Sequence, residues 1–321
     1  MNNTEKINFR QSRDFGETFN VSVKFIRQNF KLFFKSLALI AGPFVLISAV
    51  AGAFYQSSSI GLLSLKGGFQ ENYFSQFGLT FAIFIFASVI ANLMLIGTTF
   101  AYMITYMEKG TGNFTIADIS STLLKNIGKI ILTFLAMFLI LVLLFALVIG
   151  LIALMATMGA AFAILVGFIL FIGILIMMPP LIWQLSVIYL VAMQENSGAF
   201  QSFNRTREVM RDNYWWTWVI VVCAGMAVGL ASLVFTMPQM IYQMVIMFSH
   251  FKPGAVNEGV SIPFIIVSTI CTFCSTLLYS TLYIISGFHY YSLAEQKDGI
   301  GLMERIDEIG NTPDNNVEQH Y

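Results

Sequence analysis

The stretch IILTFLAMFLILVLLFALVIGLI, residues 130–152, runs for 23 residues without a charged side chain or a proline. As a helix it rises about 34 Å at 1.5 Å per residue, enough to cross a hydrocarbon core of about 30 Å. Water is absent there, so backbone groups must pair within the segment or in a closed barrel. Barrel strands are about ten residues long and alternate in polarity; this run does neither. Outward from it lie five more apolar runs, at 36–55, 79–106, 160–193, 216–248 and 262–288, and none of the six contains Lys, Arg, Asp or Glu. With 57% hydrophobic and 11% charged residues and a mean hydropathy of +0.76, an ordinary soluble domain is excluded. The chain reads as an all-α polytopic membrane bundle of six transmembrane helices, here spans 1 to 6, with interfacial amphipathic helices.

The 17 Lys and Arg divide among the connecting segments as 7, 1, 3, 0, 3, 1 and 2, so fifteen fall on one face and two on the other. This positive-inside asymmetry predicts that both termini are cytoplasmic. Three regions follow: a cytoplasmic N-terminus with a basic amphipathic helix (1–35), a membrane domain (36–294) and an acidic cytoplasmic tail (295–321). From Glu295 onward the tail holds seven acids and two bases. Seven bases spread from Lys6 to Lys35 do not make the short n-region of a signal peptide. The outer face is thin: loops at 56–78 and 249–261, the latter turning at Pro253-Gly254, and a tight hairpin near 153–159.

Each cytoplasmic segment reads as a helix leading to a span. In 14–35, Asp14 and Glu17 have capping-box spacing. Phe19, Val23, Ile26, Phe30, Phe33 and Leu37 form one stripe, with Lys24, Arg27, Lys31 and Lys35 beside it. Such a cationic helix lies among headgroups. Thr115 and Asp118 cap a second helix carrying Ile116, Ile119, Leu123 and Ile127. After Asn196 and Ser197 a third carries Phe200, Phe203, Val209 and Met210 with Arg205, Arg207 and Arg211. Anionic lipid headgroups, or another envelope membrane protein, are the expected partners of Lys24, Arg27, Lys31, Lys35, Arg205, Arg207 and Arg211; nucleic acid is not. Arg27-Gln28-Asn29-Phe30, Lys125-Asn126-Ile127 and Arg211-Asp212-Asn213-Tyr214 look alike. Two readings stand: a loose repeat of helix plus two-span hairpin, or the common appearance of any basic helix before a span.

Groups for chemistry are sparse. The spans lack the acids and histidines that proton- or ion-coupled transporters keep there. The three histidines, His250, His289 and His320, form no metal or catalytic pattern. Cys271 and Cys274 make a C-x-x-C inside span 6 and read as small apolar residues. No catalytic residue, cofactor or metal is expected. His289, Tyr290 and Tyr291, like Tyr214, Trp215, Trp216 and Trp218, read as interfacial anchors. Pro43, Pro179, Pro180 and Pro238 fall within spans and mark kinks or a cavity. The Pro pair is expected to divide span 4 into a spanning part and a cytoplasmic extension ending near Glu195. Ser268, Thr272, Thr276 and Ser280 recur every four residues in span 6. They either line a polar path or bond between helices. Gly225 and Gly229, and Gly159, Ala163 and Gly167, permit close helix contact. In the tail, Leu302, Ile306 and Ile309 share a face suited to docking.

Glu195, then Ala199 and Ser202, then a basic run to Arg211-Asp212-Asn213-Tyr214-Trp215-Trp216 at the start of a span, resembles a signature of bacterial multi-pass inner-membrane proteins. These are related to the membrane domain attached to some glycerophosphodiester phosphodiesterases. Arg13-Asp14-Phe15-Gly16-Glu17, the helix through Arg27-Gln28-Asn29-Phe30 and the tail from Gly301-Leu302 to Ile309-Gly310 look like a stand-alone branch of that group. The resemblance covers most of the chain and implies a bacterial inner-membrane location. In the enzymes hydrolysis belongs to a separate soluble barrel, absent here, so that activity does not transfer.

The expectation is a non-enzymatic inner-membrane protein that scaffolds or modulates an envelope assembly. The alternative is a transporter or channel-like protein for a lipidic or neutral solute, using proline-kinked spans. A cavity reaching Pro179-Pro180 from one face favours the alternative.

Overall fold

Helix begins where Asp14 caps it. Asp14 Oδ1 accepts from the Glu17 N–H at 2.7 Å, and Glu17 Oε2 accepts from the Asp14 N–H at 3.2 Å, closing the predicted capping box. The computed structural model describes residues 6–63, 71–110, 112–157, 160–250, 262–299 and 301–303. Its elements are α1 (Phe15–Ser36), a π-turn (Leu37–Ala41), α2 (Gly42–Leu63), α3 (Glu71–Lys109), α4 (Ile116–Ala156), α5 (Ala160–Gln194) and α6 (Ala199–Met210). A 3-10 turn (Arg211–Asn213), α7 (Tyr214–His250), α8 (Ile262–Leu278) and α9 (Ser280–Asp298) complete them. No strand occurs among the described residues, and six helical stretches are long and apolar enough to cross a membrane. The chain is a multi-pass all-α membrane protein.

The first and last described segments lie at one end of the bundle, called the termini side below. Ser292 Oγ accepts from the Arg13 N–H at 2.8 Å, which ties the N-terminal segment to the last helix. All Lys and Arg of the described residues sit on this termini side. The helices overrun the apolar spans. On the far side α2 continues to Leu63 and α3 begins at Glu71, so the loop foreseen at 56–78 is largely helix. On the termini side α1 runs through the π-turn into α2, and α4 is one helix from Ile116 to Ala156. The π-turn has a local cause. Pro43 has no N–H for the Leu39 carbonyl and its ring crowds that turn, and the widened turn just before it absorbs the misfit, with the Gly42 N–H donating to the Leu37 carbonyl.

The termini side is a packed aromatic core. Phe9, in the extended segment before α1, inserts among Phe25, Tyr106, Phe288 and Tyr291, with ring centroids 4.7–5.7 Å apart. Tyr102 and Phe114 extend the cluster. The Ile7 N–H donates to Tyr106 Oη at 3.2 Å and Tyr102 Oη donates to Asn29 Oδ1 at 3.2 Å. This corrects the reading of α1. Its buried face is Thr18, Ser22, Phe25, Asn29, Phe33 and Ser36. Of the expected stripe, Phe33 and Leu37 are buried, whereas Val23 and Phe30 are exposed. Small hydroxyls can face a protein core because they bond back to their own helix, as Ser22 Oγ does to the Thr18 carbonyl and Ser36 Oγ to the Leu32 carbonyl.

His289, Tyr290 and Tyr291, read as interfacial anchors, are buried in the core instead. His289 Nε2 and Thr217 Oγ1 lie 3.0 Å apart, and the Tyr290 and Tyr291 hydroxyls donate to Glu195 and Gln194. Trp215 and Trp216 are exposed, as expected. The three-unit likeness holds in part. Asn29 and Asn126 both donate to the carbonyl four residues back at 2.9 Å, while Asn213 sits in the 3-10 turn and donates to Gln296.

Far from the termini the packing changes. Spans 1, 2, 5 and 6 stay together, and the α4–α5 hairpin departs from them. Residues 164–178 of α5 are apolar and predominantly exposed on every side of the helix, and residues 183–193 are predominantly buried. Truncation of Phe9 to Ala is expected to cost about 3–5 kcal/mol, the usual value for a buried Phe. Val23→Ala is expected to be near neutral. Thermal unfolding in detergent compares the two, and equal effects would refute the assignment of the α1 faces.

Candidate functional site

Pro179 and Pro180 stand where the exposed half of α5 meets its buried half, and the helix runs through them without a break. Each removes a backbone donor. Pro180 leaves the Ile176 carbonyl without its helical partner, and Tyr214 Oη supplies one at 3.0 Å. Pro179 leaves the Leu175 carbonyl free in the same way. Across from this point span 6 is interrupted at Tyr279, between α8 and α9. The Tyr279 N–H is shared between the Ser275 and Thr276 carbonyls at 3.3 and 3.2 Å, and the Leu282 N–H bonds back to the Tyr279 carbonyl at 3.0 Å. No proline marks this break. Ser275 and Ser280, which bond to the Cys271 and Leu277 carbonyls, compete with the helical ladder on either side of it.

The two irregularities face a cavity of about 800 Å³. Its walls come from α3, α5, α7 and both halves of span 6, and every lining residue lies within an apolar run. The floor is buried: Trp183, Ile220, Ala224, Ile285 and Ser286. The rim is exposed: Asn92, Ile182, Met226 and Tyr279, one from each of four spans. Trp183 is fixed by its Nε1–H bond to the Ser286 carbonyl at 3.3 Å and by edge contact with His289. The polar lining is uncharged: Asn92, Ser186, Thr276, Tyr279, Tyr283 and Ser286. Asn92 Nδ2 donates to the Ser88 carbonyl at 2.9 Å and Ser186 Oγ to the Trp183 carbonyl at 2.7 Å. Pockets of this size, apolar with a few placed polar groups, are the usual form of small-molecule sites.

The marked prolines separate. Pro179 lines the cavity, Pro180 is buried beside it, and Pro43 and Pro238 lie elsewhere. The span 6 hydroxyls separate too. Ser268 bonds to Gln56 and Thr272 to Gln239, both at 3.4 Å, and Gln239 Nε2 donates to Gln56 Oε1 at 2.6 Å. These clamp spans 1, 5 and 6, whereas Thr276 faces the cavity. The glycines expected at close contacts make none within the chain, which leaves contact between copies untouched; Gly159 lies outside the described residues. A Cβ on Gly225, Gly229 or Gly167 would meet nothing within 4 Å, so these positions do not mark close helix contact inside one copy. Close contact occurs at Gly287, where a Cβ would lie 2.7 Å from Met103, and at Gly97, 2.8 Å from Leu123. Cys271 and Cys274 are unpaired, and no group of His, Cys, Asp and Glu among the described residues suits a metal.

The basic residues form two sets. Lys24, Arg27, Lys31, Lys35, Arg207 and Arg211 are exposed. Arg205 is instead ion-paired with Asp298 and lies 3.6 Å from Glu195, locking α6 to the end of α9. Lys297 reaches both the carboxylate of Glu208 at 3.0 Å and its carbonyl at 3.1 Å. That bond holds the Glu208 carboxyl below its ordinary range. In the tail, Glu295 accepts from the Gly301 and Leu302 N–H groups at 2.9 Å, and Gly301 packs against the Arg10 carbonyl. Leu302 is exposed, and Ile306 and Ile309 lie outside the described residues.

No family model, no curated protein and no solved structure matches this chain. Two substitutions test the packing of this region. Gly225→Leu is expected to leave the thermal midpoint within about 1 °C, because its side chain enters open space. Gly287→Leu is expected to cost at least about 1–3 kcal/mol through overpacking. The reverse order in detergent melts would contradict the geometry.

Proposed function

We propose that the protein is a non-enzymatic integral membrane protein that takes up a lipidic or neutral molecule in the cavity beside Pro179. One observation carries this reading: a span interrupted at Tyr279 and a continuous span bearing a proline pair face one uncharged cavity whose rim is exposed at hydrocarbon depth. Discontinuous spans that free backbone groups are how transporters build sites within the bilayer. Charged solutes are disfavoured, since no ionisable acid, Lys, Arg or His lines the walls. The asymmetry of Lys and Arg supports cytoplasmic termini. A bacterial inner-membrane location and kinship with the membrane domain of glycerophosphodiester phosphodiesterases belong to the same proposal, resting on the motifs around Glu195–Trp216 and Arg13–Phe30.

A second reading, a subunit of a larger envelope assembly, is favoured by a different feature: the far-side half of the α4–α5 hairpin, apolar all round and apart from the other spans. It keeps the scaffolding role open for that hairpin, separate from the cavity.

Gly225→Phe fills the cavity from α7 without a backbone clash. Native mass spectrometry of protein released from membranes is expected to show a bound neutral mass on the wild type and a loss of at least about tenfold in its occupancy on Gly225→Phe. Equal occupancy on both, or none on either, contradicts the proposal. A separate measurement concerns the exposed bases. Replacing Lys24, Arg27, Lys31 and Lys35 by Gln is expected to remove a preference for anionic over neutral lipid of about 1 kcal/mol per charge. An unchanged preference in nanodiscs would refute a headgroup role.

A further inference from the structure

The cavity holds polar groups that the protein leaves incompletely bonded. The hydroxyls of Thr276, Tyr279 and Tyr283 make no hydrogen bond among the described residues, and the Asn92 amide uses its nitrogen but not its oxygen. Elsewhere in the spans Thr98, Trp218 and Thr269 each keep one buried, unbonded polar atom, but singly, away from any shared space. Gln56, Gln239, Ser268 and Thr272 bond to one another, and Ser48 and Ser88 pair at 2.9 Å. In hydrocarbon an unmade bond has no water to replace it. Asn92 lies midway along span 2 and is exposed, as is Tyr279 across the rim. Four hydrogen-bonding side chains, from α3 and from both sides of the span 6 break, thus converge on one uncharged space and await a partner.

The way in is also visible. Beyond Pro179 towards the far side, α5 is exposed from Phe168 to Phe171 and from Ile174 to Met178, and Leu230 and Val234 of α7 are exposed as well. The exposed flanks of these two helices leave the cavity rim at Ile182 and Met226 open to hydrocarbon on that side. On the termini side the floor is sealed by Trp183, Ile285 and Ser286, with the buried Thr217–His289 pair behind them. A molecule therefore reaches the cavity sideways from the bilayer and not through the termini-side core.

From this geometry we infer that the site takes an uncharged amphiphile, an alkyl tail bearing a hydroxyl or amide head. The head sits among Asn92, Thr276, Tyr279 and Tyr283, and the tail leaves between α5 and α7 into the far-side leaflet. This rests on the cavity reading above and adds to it the chemical class, the orientation and the route. The volume suits a head with the first part of a chain, and the rest trails in lipid. An anionic or cationic head would meet no opposite charge in the walls.

The test uses the full chain in nanodiscs and three photoreactive probes of equal length: a monoacylglycerol, a single-chain phosphate monoester and a plain alkane. Each carries a diazirine either at the head end or at the tail tip. The monoacylglycerol is expected to label 276–286 or Asn92 from its head and 168–175 or 230–234 from its tip, at least about fivefold more than the other two probes. Thr276→Val with Tyr283→Phe is expected to reduce it to the alkane level, consistent with one or two lost hydrogen bonds, while melting as wild type does. If no probe labels the cavity and Gly225→Phe changes nothing, the cavity reading itself fails. If all three label it equally, or the phosphate labels best, the cavity reading stands and the neutral-head inference is overturned. Tail-tip labelling on α6 or the Phe9 cluster overturns the route.

Discussion

In hydrocarbon a polar group can bond only to protein, to a ligand or to a stray water, and this constraint organises the whole molecule. It makes the spans helical and gives the hydroxyls of α1 back-bonds to their own helix. It also brings a tyrosine to the carbonyl that Pro180 leaves open and holds Gln56 and Gln239 together across two spans. The same rule marks the cavity as different, because there several unbonded groups share one open space, whereas Thr98, Trp218 and Thr269 each lack a partner singly.

A division of labour follows along the membrane normal. The termini side is rigid: Phe9 threads into an aromatic cluster built from α1, α3 and α9, and Arg205, Glu195 and Asp298 pin α6 to the last helix. The far side is open, with the α4–α5 hairpin standing off. Pro179 lies at the junction of the two regimes, and span 6 is broken at the same cavity. A fixed base with a partly open upper half permits side access without dismantling the core.

The six spans were legible in the sequence because length and hydropathy are one-dimensional properties. So was the cap at Asp14, set by Asp14 and Glu17 three residues apart. The buried face of α1 was not. Its apolar stripe can face lipid as readily as protein, while Thr18, Ser22 and Asn29 are admitted to the core by back-bonding that no hydropathy pattern records. The span 6 break carries no proline or glycine, and its only trace is Ser275 and Ser280, residues common in intact spans. The G-x-x-x-G at Gly225 marks no contact within the chain, because a small residue marks either a close neighbour or an empty space, and only packing tells which. Gly287, with Met103 against it, was the real contact.

The account stands or falls on what fills the space between Asn92 and Tyr279 when the protein sits in lipid. A high-resolution electron cryo-microscopy map in native-lipid nanodiscs answers this directly. The account predicts an elongated density with its compact end beside Thr276 and Tyr283 and its tail passing between α5 and α7. A map in which α5 closes onto α7, so that Pro179 contacts Gly225 and the cavity disappears, would contradict it.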